Sequence, residues 1–243
     1  MTGGLEQRLG DPYDAGNPYG FRAVCAAAEA GGTVPLPAGA GTGADLRALY
    51  RRSPRAARAA HPDVADGEWI GAAVGAVDSG LRIAVRHLRA RRLYDRPAFE
   101  IPYLRAALAG VLADLLLCDR LLAPDHERVA HGFVPRALRA AMDTLSVLLG
   151  SRFYIRVGEP AAFAVLFREA QEHLLALSTM PPVPAAAVRD LLPGAEAPAL
   201  HRARGGWRTP PAPAAGLVDD LIDRYRDNRS FDLSRRPLPD RPG

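Results

Sequence analysis

Apolar residues recur in steps of three and four through four long stretches of this chain, all between residues 67 and 180. In the first, Ile70, Val74, Val77, Leu81, Ala84 and Leu88 make one stripe, the 3.6-residue period of an amphipathic helix. The spacing predicts a helix from Glu68 to Tyr94, broken by Pro97, with Asp78, Arg82, Arg86, Arg89 and Arg92 on its polar face. The second stretch, Ile101 to Leu122, is apolar nearly all round in VLADLLLCDRLL, which predicts burial between neighbours. Pro102 suits its first turn, and Ala123-Pro124 stops it. The third runs from Pro135 to Leu149, with Leu138, Met142, Leu145 and Leu149 inward and Gly150 closing it. The fourth opens at Glu159-Pro160 and turns Phe163, Leu166, Phe167, Ala170, Leu174 and Leu177 inward, until Met180-Pro181-Pro182 ends it.

Long amphipathic helices with short connections pack as an antiparallel bundle. No strand pattern of useful length is present, so the expected fold class is all-α, an antiparallel four-helix bundle over residues 67–180. Residues 1–66 read as a lead-in with short helices at Gly20 to Ala30 and Ala44 to Arg52, and RAARAAHPDVADGE reads as loop. Residues 181–243 read as a Pro/Arg-rich tail with one short helix, Ala215 to Arg226, striped by Leu217, Val218, Leu221, Ile222 and Tyr225. The last stretch, RSFDLSRRPLPDRPG, is expected to be mobile or to wrap a partner.

Composition narrows the chemistry. All 31 basic residues are arginine; without lysine there is neither Schiff-base catalysis nor a P-loop. The net charge of +4 is spread among 27 acidic residues, as on an ordinary solvated surface. Arg86, Arg89, Arg91, Arg92 and Arg96 form the one basic stripe, but interleaved aromatics and a helix-turn-helix are missing, so nucleic acid is the third reading. Cys25 and Cys118 give no disulfide framework or metal spacing, and Cys118 reads as a buried thiol. His126 and His131 with Asp125 and Glu127 lie in a loop without metal-ligand spacing. The uncharged apolar run Ala106 to Ala113 is too short to span a bilayer. MTGGLEQRLGD lacks a signal-peptide core, so a cytoplasmic protein with no membrane partner is expected.

Two blocks carry a family resemblance: DSGLRIAVRHLRARRLYDRP and the later LSVLLGSRFYIR. With the opening GDPYDAGNPYGFRAVCAAAEAG, they make the chain resemble the acyl-CoA dehydrogenase family, over residues 67–180 in its C-terminal helical domain. The family's R-x-x-F/Y-G motif would place Arg91 and Tyr94 against the flavin pyrophosphate of a neighbouring subunit, with Asp95 where the family has glycine. Its Q-x-x-G-G segment falls on Ser146 and on Leu149-Gly150. The implied cofactor-binding set is therefore Arg91, Tyr94, Ser146 and Gly150, with FAD shared with a partner subunit.

The same resemblance removes the catalyst. The family's base glutamate falls on Leu177, which has no proton acceptor; some members place the base on the first core helix, where Asp78 is nearest. The family's middle β domain is also missing, because residues 32–67 are too few to hold it. The implied function is a shortened, non-catalytic subunit, with no catalytic residues and no metal of its own. Its partner would be a full-length flavin-dependent homologue, or a second copy in a homodimer, acting on acyl-CoA or acyl carrier protein through that partner. Two alternatives stay open: a non-catalytic helical scaffold or acyl-binding module, and a nucleic-acid-binding helical protein.

Overall fold

The computed structural model describes residues 30, 46–192, 194, 197–203 and 215–237. The expected helix at Gly20 to Ala30 lies, except for Ala30, outside the described residues. Among them the chain is helical: α1 (Leu46–Tyr50), α2 (Pro54–Ala60), α3 (Asp66–Ala90), α4 (Pro102–Leu121), α5 (Glu127–Leu149), α6 (Gly158–Leu177), α7 (Ala185–Leu191), α8 (Pro198–Ala203) and α9 (Ala215–Arg226). The only strands among these residues are β1 (Arg92–Leu93) and β2 (Arg96–Pro97), a two-stranded antiparallel hairpin.

Five of these spans differ from the sequence expectation. The loop assigned after Arg52 contains α2, because Ser53 accepts the Ala56 amide at 3.1 Å as N-cap and Pro54 takes the first turn. α3 ends at Ala90 and not at Tyr94, since the chain turns back in the hairpin. α5 begins at Glu127 and carries Pro135 in its interior instead of starting there. The ring removes a backbone donor from that turn, and the Arg136 guanidinium binds the Gly132 carbonyl at 2.8 Å beside it. The tail contains α7 and α8 as well as α9.

α3 to α6 enclose one core. Gly67 of α3 faces His131 and Gly80 faces Met142 and Leu145, so α3 and α5 run in the same direction. Gly71 faces Leu122 at the far end of α4. Trp69 packs on His173 of α6, with ring centroids 5.7 Å apart, whereas Gly80 faces Phe163. α4 and α6 therefore run opposite to α3, and consecutive helices alternate in direction. α3 and α5 each touch the other three long helices. Both the hairpin that follows α3 and the turn that follows α5 close the same end of the bundle.

The middle of α3, Ala72 to Val85, is covered all round. Asp78 and Arg82, assigned to a solvent-facing polar side, are buried. α1 crosses over Gly75, where a methyl group would collide with the Arg47 carbonyl. The segment after α9, expected to be mobile or to wrap a partner, packs through residues 229–233 beside α1, with Ser230, Phe231 and Asp232 fully buried.

Charges in this interface alternate. The Arg51 guanidinium donates to Asp78 Oδ2 at 2.9 Å and to Asp232 Oδ2 at 2.8 Å. Arg47 bridges Asp232 at 3.2 Å and Asp119 of α4 at 2.7 Å. Backbone amides take remaining acceptors: Phe231 N–H donates to Asp78 Oδ1 at 3.3 Å, and Leu233 N–H to Asp119 Oδ2 at 2.8 Å. Arg224 of α9 binds the carbonyls of Phe231 and Asp232 at 3.0 and 2.8 Å, and Arg82 lies over the Phe231 ring at 4.9 Å. Burial works against ionisation of Asp232. The hydroxyls of Ser234 and Ser230 and the charges of Arg51 and Arg47 outweigh it, holding the carboxyl down at about 2.

Truncating one partner of a buried charge pair leaves the other unpaired, at a cost of about 3–5 kcal/mol. Asp232→Ala is expected to lose that much stability in urea denaturation. Because the folded carboxyl sits below its unfolded value of about 4, its contribution is full above pH ~4. It is expected to fade as pH falls toward about 2 in the parent, and Asp232→Asn should lack that part of the acid limb. A loss under ~1 kcal/mol in Asp232→Ala would contradict the network's role.

Candidate functional site

The four residues implied for cofactor contact come to the shared end of α3 and α5. Arg91 is the exposed C-cap of α3, its N–H donating to the His87 carbonyl at 2.9 Å and its carbonyl accepting from Ala98 at 2.6 Å. These bonds turn the chain into the hairpin, whose two loop residues are Tyr94 at φ 52° and Asp95 at φ 63°. A two-residue hairpin loop with both residues left-handed normally uses Asn and Gly, so a tyrosine here carries a local conformational cost. Leu93 packs inward, leaving Tyr94 almost wholly exposed.

Ser146 and Gly150 do helix-terminal work. Ser146 donates its hydroxyl to the Asp143 carbonyl at 2.7 Å, inside α5. Gly150 has φ 56° and ψ −132°, and its N–H bonds the Ser146 and Val147 carbonyls. That backbone shape belongs to glycine, and here it ends a helix.

The positions tied to base catalysis are closed. Leu177 is buried in the core. Asp78 is held by Arg51 and by the Phe231 amide beneath the tail. Nearby, on the side away from the hairpin, Tyr50 and His173 Nδ1 form a buried hydrogen bond of 2.7 Å, with Trp69 packed on both rings. Burial, aided by the charge of Arg58, pushes His173 down to about 4, and burial raises Tyr50. Ser53 donates to Glu169 at 2.6 Å in the same layer. These groups satisfy one another in the core, a pairing that helical period alone does not reveal.

Electrostatics at the hairpin end are dominated by arginine. Burial first, and then the charges of Arg91 and Arg152, push His87 down to about 4. Arg86 pairs with Glu159 at the start of α6 and lies 3.5 Å from the Tyr225 hydroxyl. Burial raises Glu159 to about 7 despite that neighbouring cation. Arg89 lies over the Tyr225 ring at 5.4 Å.

A flavin fits these residues poorly. Arg91 offers a cation to a phosphate, but the Ser146 hydroxyl and the Gly150 amide are both consumed within α5, and the exposed Asp95 adds a carboxylate. The described residues include no group of His, Cys, Asp and Glu suited to a metal ion, and none of their helices is long and apolar enough to cross a membrane. The Cys118 thiol is buried and forms no disulfide among the described residues.

Asp95→Gly removes a non-glycine residue from the left-handed region, where a Cβ costs about 1–2 kcal/mol, against about 0.5–1 kcal/mol of added unfolded-chain entropy, and we expect thermal stability to rise by about 0.5 kcal/mol. A fall in melting temperature would contradict the hairpin geometry. Comparison with known proteins finds no matching family model, no matching curated protein and no matching solved structure.

Proposed function

We propose that this chain is a non-catalytic helical subunit that acts by docking onto an enzyme. The enzyme that its resemblance implies is a full-length, flavin-dependent acyl-CoA or acyl-carrier-protein dehydrogenase. The observation that carries this reading is a division between two groups of residues. Those matching the family's acid–base chemistry are closed, Leu177 in the core and Asp78 under the tail. Those matching its subunit-contact segment, Arg91 and Tyr94, stand exposed at one end. A leucine cannot accept a proton, whereas exposed arginine and tyrosine are the residue types that interfaces concentrate.

In this reading the partner supplies the flavin, the base and the acyl site, and oxidises the thioester between its α and β carbons. This chain contributes a rigid docking face. The left-handed φ of Asp95 agrees with the resemblance, because the family has glycine at that position.

A second reading is favoured by the covered middle of α3 and the packed tail: a self-contained helical scaffold with no flavoprotein partner. Co-expression with the full-length acyl-CoA dehydrogenase of the same genome separates the two. The docking reading expects a yellow heteromer on size exclusion, with turnover unchanged when Leu177 is replaced by Met, a volume-conserving change in the core. A colourless chain that elutes alone and leaves the dehydrogenase's assembly and activity untouched would overturn it in favour of the scaffold.

A further inference from the structure

The two connections at the hairpin end repeat one five-residue pattern. Arg92-Leu93-Tyr94-Asp95-Arg96 and Arg152-Phe153-Tyr154-Ile155-Arg156 both read arginine, apolar, tyrosine, any residue, arginine. The first is a β-hairpin and the second straddles a 3₁₀ turn, yet both use the pattern alike. The apolar residue anchors the loop: Leu93 packs on the core, and Phe153 sits against Phe163 and Phe167, with centroids 6.0 and 5.1 Å apart. The next residue then projects outward, Tyr94 at 87% exposure and Tyr154 at 73%. The flanking arginines are exposed as well.

These arginines differ from those of the interior. Arg47, Arg51, Arg86 and Arg224 are each committed to carboxylates. Arg91, Arg92, Arg96, Arg152 and Arg156 enter no ion pair among the described residues. Asp95 and Glu100 are the exposed carboxylates of the first connection, and the second has none before Glu159, which Arg86 already holds. Because α3 and α5 run in the same direction, the connections that follow them leave from the same end of the bundle, and with them Arg91 and Arg152.

We infer that this end is a protein-docking surface for an acidic partner face. The tyrosines Tyr94 and Tyr154 act as anchors, and Arg91, Arg96, Arg152 and Arg156 as the cations that select it. Tyrosine and arginine are the side chains that most often carry interface energy, and unpaired surface cations steer and select acidic partners. An isolated small anion would need converging donors in a recess, whereas these side chains project from two separate loops. The inference rests on the docking reading above and gives that partner's surface its chemistry.

The test uses the full chain and fluorescently labelled poly-L-glutamate, read by anisotropy at low salt. Arg91→Glu with Arg152→Glu is expected to weaken binding about tenfold or more, and Tyr94→Ala with Tyr154→Ala several-fold, each with unchanged helical circular dichroism. Arg128→Glu with Arg120→Glu makes the same change in net charge at the opposite end of the bundle and is expected to stay within about twofold of the parent. Equal weakening by this control would overturn the inference. So would stronger displacement of the probe by oligo-dT or inorganic pyrophosphate than by unlabelled poly-L-glutamate. Self-association in light scattering that the Arg91/Arg152 pair abolishes would assign the surface to a second copy instead. A dehydrogenase heteromer that survives Arg91→Glu with Arg152→Glu would sink this inference alone. Selective poly-L-glutamate binding without any dehydrogenase heteromer would sink the enzyme assignment alone.

Discussion

The fold depends on one buried alternation of charge: Asp78, Arg51, Asp232, Arg47 and Asp119 in sequence, with backbone amides on the spare carboxylate oxygens. Desolvating such groups is costly, and they are retained only where nearly every lone pair and proton has a partner. Here the partners come from α1, α3, α4 and the segment after α9. Arg51 and Asp232 are 181 residues apart in the chain. The network therefore closes the fold like a clasp, and its geometry leaves little freedom in where the tail can lie. It also explains how the middle of α3 can be buried all round while carrying Asp78 and Arg82.

Periodicity made the main helices legible. α4 falls within a residue of its expected bounds, and α9 occupies the span that Leu217, Leu221, Ile222 and Tyr225 mark out. The same period misassigned Asp78 and Arg82, because it locates the face opposite the four-helix core and not what else covers it. Nothing local in RSFDLSRR shows that Phe231 and Asp232 would be buried. The end of α3 was hidden by the arginines of RARRLYD, which continue a helical pattern until tertiary contacts turn the chain at Arg91. α2 carries a local signal, since Ser53-Pro54 is a cap followed by a first-turn proline. Pro135 misled in the other direction, as it sits inside α5.

The candidate site was legible as residue positions but less so as chemistry. Arg91 and Tyr94 are exposed at one end. Ser146 and Gly150 instead complete the end of α5. The pattern shared by the two loops at that end was readable in the sequence, but its meaning depends on two facts of packing. The loops close the same end of the bundle, and their apolar residues turn inward. That division gives one molecule with a sealed, charge-clasped side and an open arginine–tyrosine end.

Hydrogen exchange tests the clasp most directly, because two of its bonds are backbone amides. Phe231 and Leu233 donate to Asp78 and Asp119, so their amides should exchange about as slowly as those in the middle of α3, around Leu81, and far more slowly than those of the hairpin at Tyr94. Exchange of residues 230–234 as fast as that of the hairpin would contradict the account, since the tail would then be a loose appendage and not the element that closes the fold.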